Sequence, residues 1–146
     1  VAVVYARTWK NSNLEALRHL AGRKGARVRL LLPDRDRPEV VEELARRFGK
    51  SAADVSAAIK ETVDDFAAMF RDPDGAKLEV WPHHATPVYA AYRFDHRIVV
   101  TTYKHRPEKQ SVPVLVVEKE GTLFQFFKEE LDALASVSSG VARHVA

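Results

Sequence analysis

The 146 residues contain no cysteine, which excludes a disulfide scaffold and a thiolate metal site. No apolar run approaches the roughly 20 residues that span a bilayer, and no signal-peptide pattern opens the chain. The six glycines stand singly, so no Gly-rich loop offers itself to a phosphate. Nothing repeats, no tract is of low complexity, and no linker divides the chain. These absences lead us to expect one cytoplasmic domain without membrane contact, cofactor or metal. The chain opens on Val1 rather than Met, which suggests that it is processed or cut from something longer.

What is present fits that outline. A chain of this length can bury a core of its own, and 46% hydrophobic with 29% charged residues is a globular composition. The net charge of +3, from 23 basic and 20 acidic residues, is too small to identify a partner. Two basic clusters stand out, Arg23, Lys24, Arg27 and Arg29, then Lys104, His105, Arg106 and Lys109. A dedicated nucleic-acid binder carries a denser basic face, so nucleic acid has weak support and solvated surface is the default.

Strand and helix alternate along the chain. Residues 2–6 read as an apolar opening strand, and 7–13 as a polar loop whose Ser12 or Asn13 caps a helix. Leu14, Leu17, Leu20 and Ala21 form that helix's stripe, and Gly25 stops it. Residues 28–32 are a second strand, paired in parallel with the first. Pro38 and Glu39 start another helix with the stripe Val40, Val41, Leu44 and Phe48. Ser51 and Asp54 open a longer helix by a capping box, with Val55, Ile59, Thr62, Val63, Phe66 and Phe70 on its inner face.

After the turn Asp72-Pro73-Asp74-Gly75 come strands at 78–81 and 112–117, with a hairpin between them. The hairpin, 88–106 (VYAAYRFDHRIVVTTYKHR), alternates as a half-buried strand must and bends at Asp95. Gly121 starts the last helix, with Thr122 and Gln125 as a capping box. Leu123, Phe126, Phe127, Leu131 and Leu134 are its core face, and Phe124 is the residue free for an interface. The expected order is β-α-β-α-α-β-β-β-β-α. It makes an α/β domain over 1–135, a mixed β-sheet flanked by helices, followed by a flexible tail over 136–146.

Several side chains could bind. Trp9 and Lys10 follow the first strand, and Arg35 and Arg37 follow the second; such loops meet in one crevice in open α/β sheets. There Arg35 or Arg37 could fork onto a phosphate or carboxylate against Trp9, with Tyr103 and Arg106 closing the pocket. Alternatively, Asp34, Arg35, Asp36 and Arg37 pair among themselves. His83 and His84 are adjacent, so an extended chain points them opposite ways, a poor arrangement for one metal. His105 beside Lys104 is the tightest His/Lys neighbourhood.

The stretch 14–34 and the hairpin together resemble one half of the phospholipase D superfamily fold. In that family a hairpin carries His-x-Lys-x4-Asp, with Gly-Ser or Gly-Gly further on. Setting Asp95 on the motif's Asp puts Val88 at the nucleophilic His and Ala90 at the Lys, with Thr102 and Tyr103 where Gly-Ser would stand. The resemblance therefore implies a degenerate, non-catalytic branch, of the kind found in bacterial multidomain regulatory or defence proteins.

By this resemblance Asp95 would orient an anion-binding group; it is equally suited to be the acid of a tight turn. Arg93 and His84 join the ligand-binding candidates beside the hairpin. The resemblance also implies a homodimer, because phospholipase D halves pair. The function expected is sensing of a phosphate-bearing or nucleotide-like anion. The alternatives are a phosphodiesterase or nuclease with a relocated His, and a dimerisation module without ligand.

Overall fold

The computed structural model describes residues 1–103, 111–138 and 143–144. In chain order the elements are α1 (Arg7–Ser12), α2 (Leu14–Ala21), β1 (Arg27–Pro33), α3 (Pro38–Phe48), α4 (Ala52–Met69), β2 (Lys77–His83), β3 (Tyr89–Phe94), β4 (Arg97–Thr102), β5 (Val114–Glu118), α5 (Thr122–Ser136) and β6 (Arg143–His144). The domain is mixed α/β. β1 and β2 run parallel, Arg27 opposite Lys77 and Pro33 opposite His83, and β6 lies antiparallel beside Glu79 and Val80. β3, β4 and β5 form an antiparallel meander.

One residue joins these two three-stranded ladders. Ala2 bridges in parallel to Leu31 of β1 and antiparallel to Ala91 of β3. Its N–H donates to the Ala91 carbonyl at 2.8 Å, and the Ala91 N–H donates back at 2.9 Å. On the other side the Leu31 N–H donates to the Val1 carbonyl at 2.8 Å. The opening strand expected over 2–6 is therefore cut to a single bridge. The reason lies in where the next amides go: Val4 N–H donates to the Tyr103 hydroxyl and Ala6 N–H to Thr62 Oγ1, so neither can extend a ladder. The polar stretch expected to be a loop coils instead into α1, starting from the Lys10 N–H to Ala6 carbonyl bond at 2.8 Å.

Alternation along the strands sorts the core into two layers. Leu30, Leu32, Leu78, Val80 and Ala90 cluster with Leu17, Val40, Leu44, Val55, Ile59 and Phe66, which come from α2, α3 and α4. Their sequence neighbours Leu31 and Ala91, with Ile98, Val100 and Val117, cluster with Phe124 and Leu131 of α5. Helices thus cover both faces. In α5 the inner stripe is Phe124, Phe127, Leu131 and Leu134, while Phe126 is exposed, the reverse of the roles expected for Phe124 and Phe126. The helix begins one residue earlier than a Thr122 cap requires. Gly121 is its N-cap, and the Gln125 amide donates to Glu129 instead of closing a capping box.

Elsewhere local signals act as their chemistry demands. Ser51 Oγ accepts from the Asp54 N–H at 3.0 Å. α3 starts on Pro38 and ends on Gly49, whose φ of 61° is the left-handed conformation of a helix stop. At Gly75 the backbone passes so close to α2 that a Cβ would lie 2.2 Å from the Ala21 carbonyl oxygen.

Two substitutions test this frame by urea denaturation. Gly75→Ala should lower stability by about 1–3 kcal/mol, because backbone rather than a flexible side chain must yield. Thr62→Val should cost about 1–3 kcal/mol by leaving the Ala6 N–H without an acceptor, and Thr62→Ser should restore most of it.

Candidate functional site

The aromatic residues expected to wall a pocket are instead packed into and against the domain's own core. Trp9 stacks on Tyr92 with ring centroids 4.7 Å apart and lies parallel to Phe66 at 6.3 Å. Tyr103 packs edge-on against Phe48 at 5.5 Å, and its hydroxyl accepts from the Val4 N–H at 3.2 Å. Burial pushes that phenol up to about 12, so it stays protonated. These rings belong to the core cluster or pack against it.

The cations proposed for an anion are engaged by carboxylates. Lys10 pairs with Asp65, Arg35 lies 3.7 Å from Asp36, and Arg37 lies 3.5 Å from both Asp34 and Glu39. The Asp36 N–H also donates to Asp34 Oδ1 at 3.1 Å, which closes the loop on itself. A polar cavity of about 420 Å³ beside Tyr5, Arg7, Lys50 and Glu61 is likewise self-neutralised. There Arg7 pairs with Glu61, and Lys50 donates to the Tyr5 hydroxyl.

Around the hairpin the candidates separate. Asp95 sits exposed in the two-residue turn with φ of 44°, a left-handed position that Asp tolerates better than most residues. Arg93 is exposed with its guanidinium 5.9 Å over the Phe124 ring. Val88 is exposed and Ala90 buried, at the positions where the resemblance places a nucleophile and a lysine. His105 and Arg106 lie outside the described residues. Among the described residues no three His, Asp or Glu side chains are grouped as metal ligands, and no helix is long and apolar enough to cross a membrane.

The two neighbouring histidines part as alternation requires. His84 is exposed, while His83, the last residue of β2, is only 1% exposed. The His83 carbonyl accepts from the Asp34 N–H at 2.7 Å, and its backbone bridges to Ser138. Both imidazole nitrogens are buried and neither meets a partner at good hydrogen-bond geometry, the Ala85 backbone making at most a weak contact. Burial drives the ring's pKa down to about 4, against the opposing pull of the Ala85 backbone; His84 adds to the fall and Asp34 resists it. The residue lines a cavity of about 260 Å³ between the 85–89 segment and α5, bordered by Ala2, Tyr89, Glu130, Leu134 and Val137. Among the described residues no Lys or Arg lines it.

A second buried polar group is structural. Glu79 accepts from Arg29 at 3.1 Å and from the Trp81 indole at 3.2 Å, with Arg27 at 3.2 Å. Burial alone would raise its pKa, but the hydrogen bonds from Arg29 and Trp81 and the two guanidinium charges hold it below the ordinary value. Arg29 also lies 4.8 Å over the Trp81 ring, so the cluster clamps β1 to β2.

The emphasis of sequence reasoning fell on charged loops and passed over His83 as the centre of a site. Its signal was available in the apolar run before it and the neighbouring His84 that alternation turns outward. Compared with known proteins, the chain matches no family model, no curated protein and no solved structure.

His83 makes folding sensitive to acid. The ring must stay neutral when folded, whereas the unfolded ring takes a proton near its ordinary value of about 6.5. Its contribution is therefore complete above pH about 6.5 and is lost as the pH falls to about 4, by up to about 3 kcal/mol. Urea melts of His83→Phe across that range should lose much of this slope.

Proposed function

We propose that this chain is a non-catalytic interaction domain, a phospholipase D-like half that acts by pairing with a second copy of itself. The likeness is supported by the α2–β1 unit and by the β3–β4 hairpin turning at Asp95, while Val88 and Ala90, which depart from the motif's His and Lys, support only the absence of catalysis.

One observation carries the pairing. Among the described residues β5 is the outer strand of its ladder, and Val114, Leu115 and Val116 are 57%, 45% and 55% exposed. Successive side chains point to opposite faces, so the strand is apolar on both. An edge strand offers unpaired backbone groups to any other strand, and isolated domains guard against this with charge or proline. Here no charge falls between Val114 and Val117, and the first acid, Glu118, is held by Arg97 at 2.8 Å. A two-fold axis through such a strand sets it against its own copy and covers the same side chains on both chains. Assembly is favoured over anion sensing because Trp9, Tyr92 and Tyr103 are packed against the core and Lys10, Arg35 and Arg37 are paired with carboxylates.

Light scattering across a dilution series tests this. The chain should run as a dimer, and the Leu115→Lys/Val116→Lys variant as a monomer with unchanged circular dichroism. A wild-type monomer at every concentration overturns the pairing. A phosphate ester that raises the melting point, with the rise lost in Arg35→Ala, would establish the anion sensor in its place.

A further inference from the structure

We propose that α5 forms a second layer of the self-pairing surface: the helix flank that carries Leu123 and Phe126 packs on the same flank of a second copy. The inference rests on the pairing of β5 edges and states what completes it.

The free edge fixes how two copies meet. The Lys119 N–H donates to the His96 carbonyl at 2.8 Å, and the ladder continues with Val117 opposite Ile98 and Leu115 opposite Val100. Bonded positions alternate in an antiparallel pair, so residues 115 and 117 direct their backbone groups to β4, whereas Val114, Val116 and Glu118 turn theirs outward. Val116 is the middle of the three. A two-fold axis through it matches Val114 with Glu118 of the partner subunit and pairs every outward group of the strand. An axis through Leu115 would set Glu118 opposite residue 112, outside β5.

That contact is too small to stand alone. The five residues of β5 run about 17 Å, and a sheet is about 10 Å thick. Such a footprint falls well short of the roughly 800 Å² per partner that a stable interface covers. The rest must come from what flanks the edge, and α5 follows β5 after a three-residue turn.

The helix has the surface to supply it. Leu123 and Phe126 are 53% and 52% exposed, although Phe124, Phe127, Leu131 and Leu134 already face the domain's own core. At 3.6 residues per turn the two share a flank with Glu130, Ala133 and Val137. Those three line the cavity against the 85–89 segment, so the flank looks toward the end of the meander where Tyr89 begins β3. Val114 lies at that same end, because it pairs with Thr101, next to the Thr102 that faces Tyr89. Leu115, opposite the buried Val100, points to the α5 side of the sheet and is 45% exposed. The axis through Val116 therefore brings Leu115 of both copies together beneath the two flanks. On the other side of α5, Gln125 bonds Glu129 and Lys128 pairs with Asp132, a surface finished for water.

The chain contains no cysteine, so introduced ones report the axis cleanly. Mild oxidation should link Val116→Cys into a dimer, since facing residues there stand about 5.5 Å apart. Leu115→Cys should stay unlinked, its two copies being about 8 Å apart. Dissociation constants from light scattering then test the helix. Leu123→Glu/Phe126→Glu and Leu123→Lys/Phe126→Lys should each weaken the dimer at least tenfold with unchanged circular dichroism, and an equimolar mixture of the two should associate again. Constants unchanged in both variants, or a weakening that the mixture does not reverse, overturn the α5 layer while a linked Val116→Cys leaves the β5 pairing standing. A wild-type chain that is monomeric throughout overturns both.

Discussion

The structure depends on a single backbone residue. Ala2 exchanges hydrogen bonds with Ala91, while its neighbours Val1 and Val3 exchange them with Leu31, so a parallel ladder and an antiparallel meander become one surface. Without that bridge, the α1–α4 layer would rest on β1 and β2 alone, and α5 would rest mainly on the meander. The small side chain matters: Ala2 and Ala91 are both almost inaccessible beneath α5, where a larger residue would push the helix away. The cavity beside His83 sits at the same junction, with Ala2 and Val3 in its wall.

Charge in this domain is organised to be used up internally. Lys10, Arg35, Arg37, Arg97 and the Arg27–Arg29 pair each meet a carboxylate. Most of these pairs are exposed and stabilise little; the buried Glu79 is the exception, since two guanidinium groups and an indole converge on it. Among the described residues the buried side-chain nitrogens left without a partner at good geometry are those of one uncharged imidazole, His83. That contrast sets the β5 edge, on which function is proposed, apart from the charged loops that first attract notice.

Much of the fold was legible in the sequence because its signals were local. Pro38 and Gly49 mark the ends of α3, Ser51 caps α4, and the spacing from Val55 to Phe66 fixes the face that α4 buries. Alternation correctly separated His83 from His84 and put the hairpin's bend at Asp95. Where sequence reasoning failed, a remote partner had intervened. Tyr103 and Thr62 take the amides that would have made residues 2–6 a strand, and they lie far away in the chain. Phe124 turned inward because α5 begins at Gly121, a phase set by the turn after β5.

The sequence by itself determined the class, mixed α/β, since periods of two and of about 3.6 residues are written in the order of apolar side chains. It also determined that Val88 and Ala90 can supply neither nucleophile nor ammonium. Only the tertiary structure decided which polar groups would find partners. Pairing of Lys10 with Asp65, packing of Trp9 and Tyr103 against the core, and burial of His83 all depend on residues brought together from distant parts of the chain. Hydrogen bonds and ion pairs are satisfied by proximity in space, and the residue pattern alone does not record it.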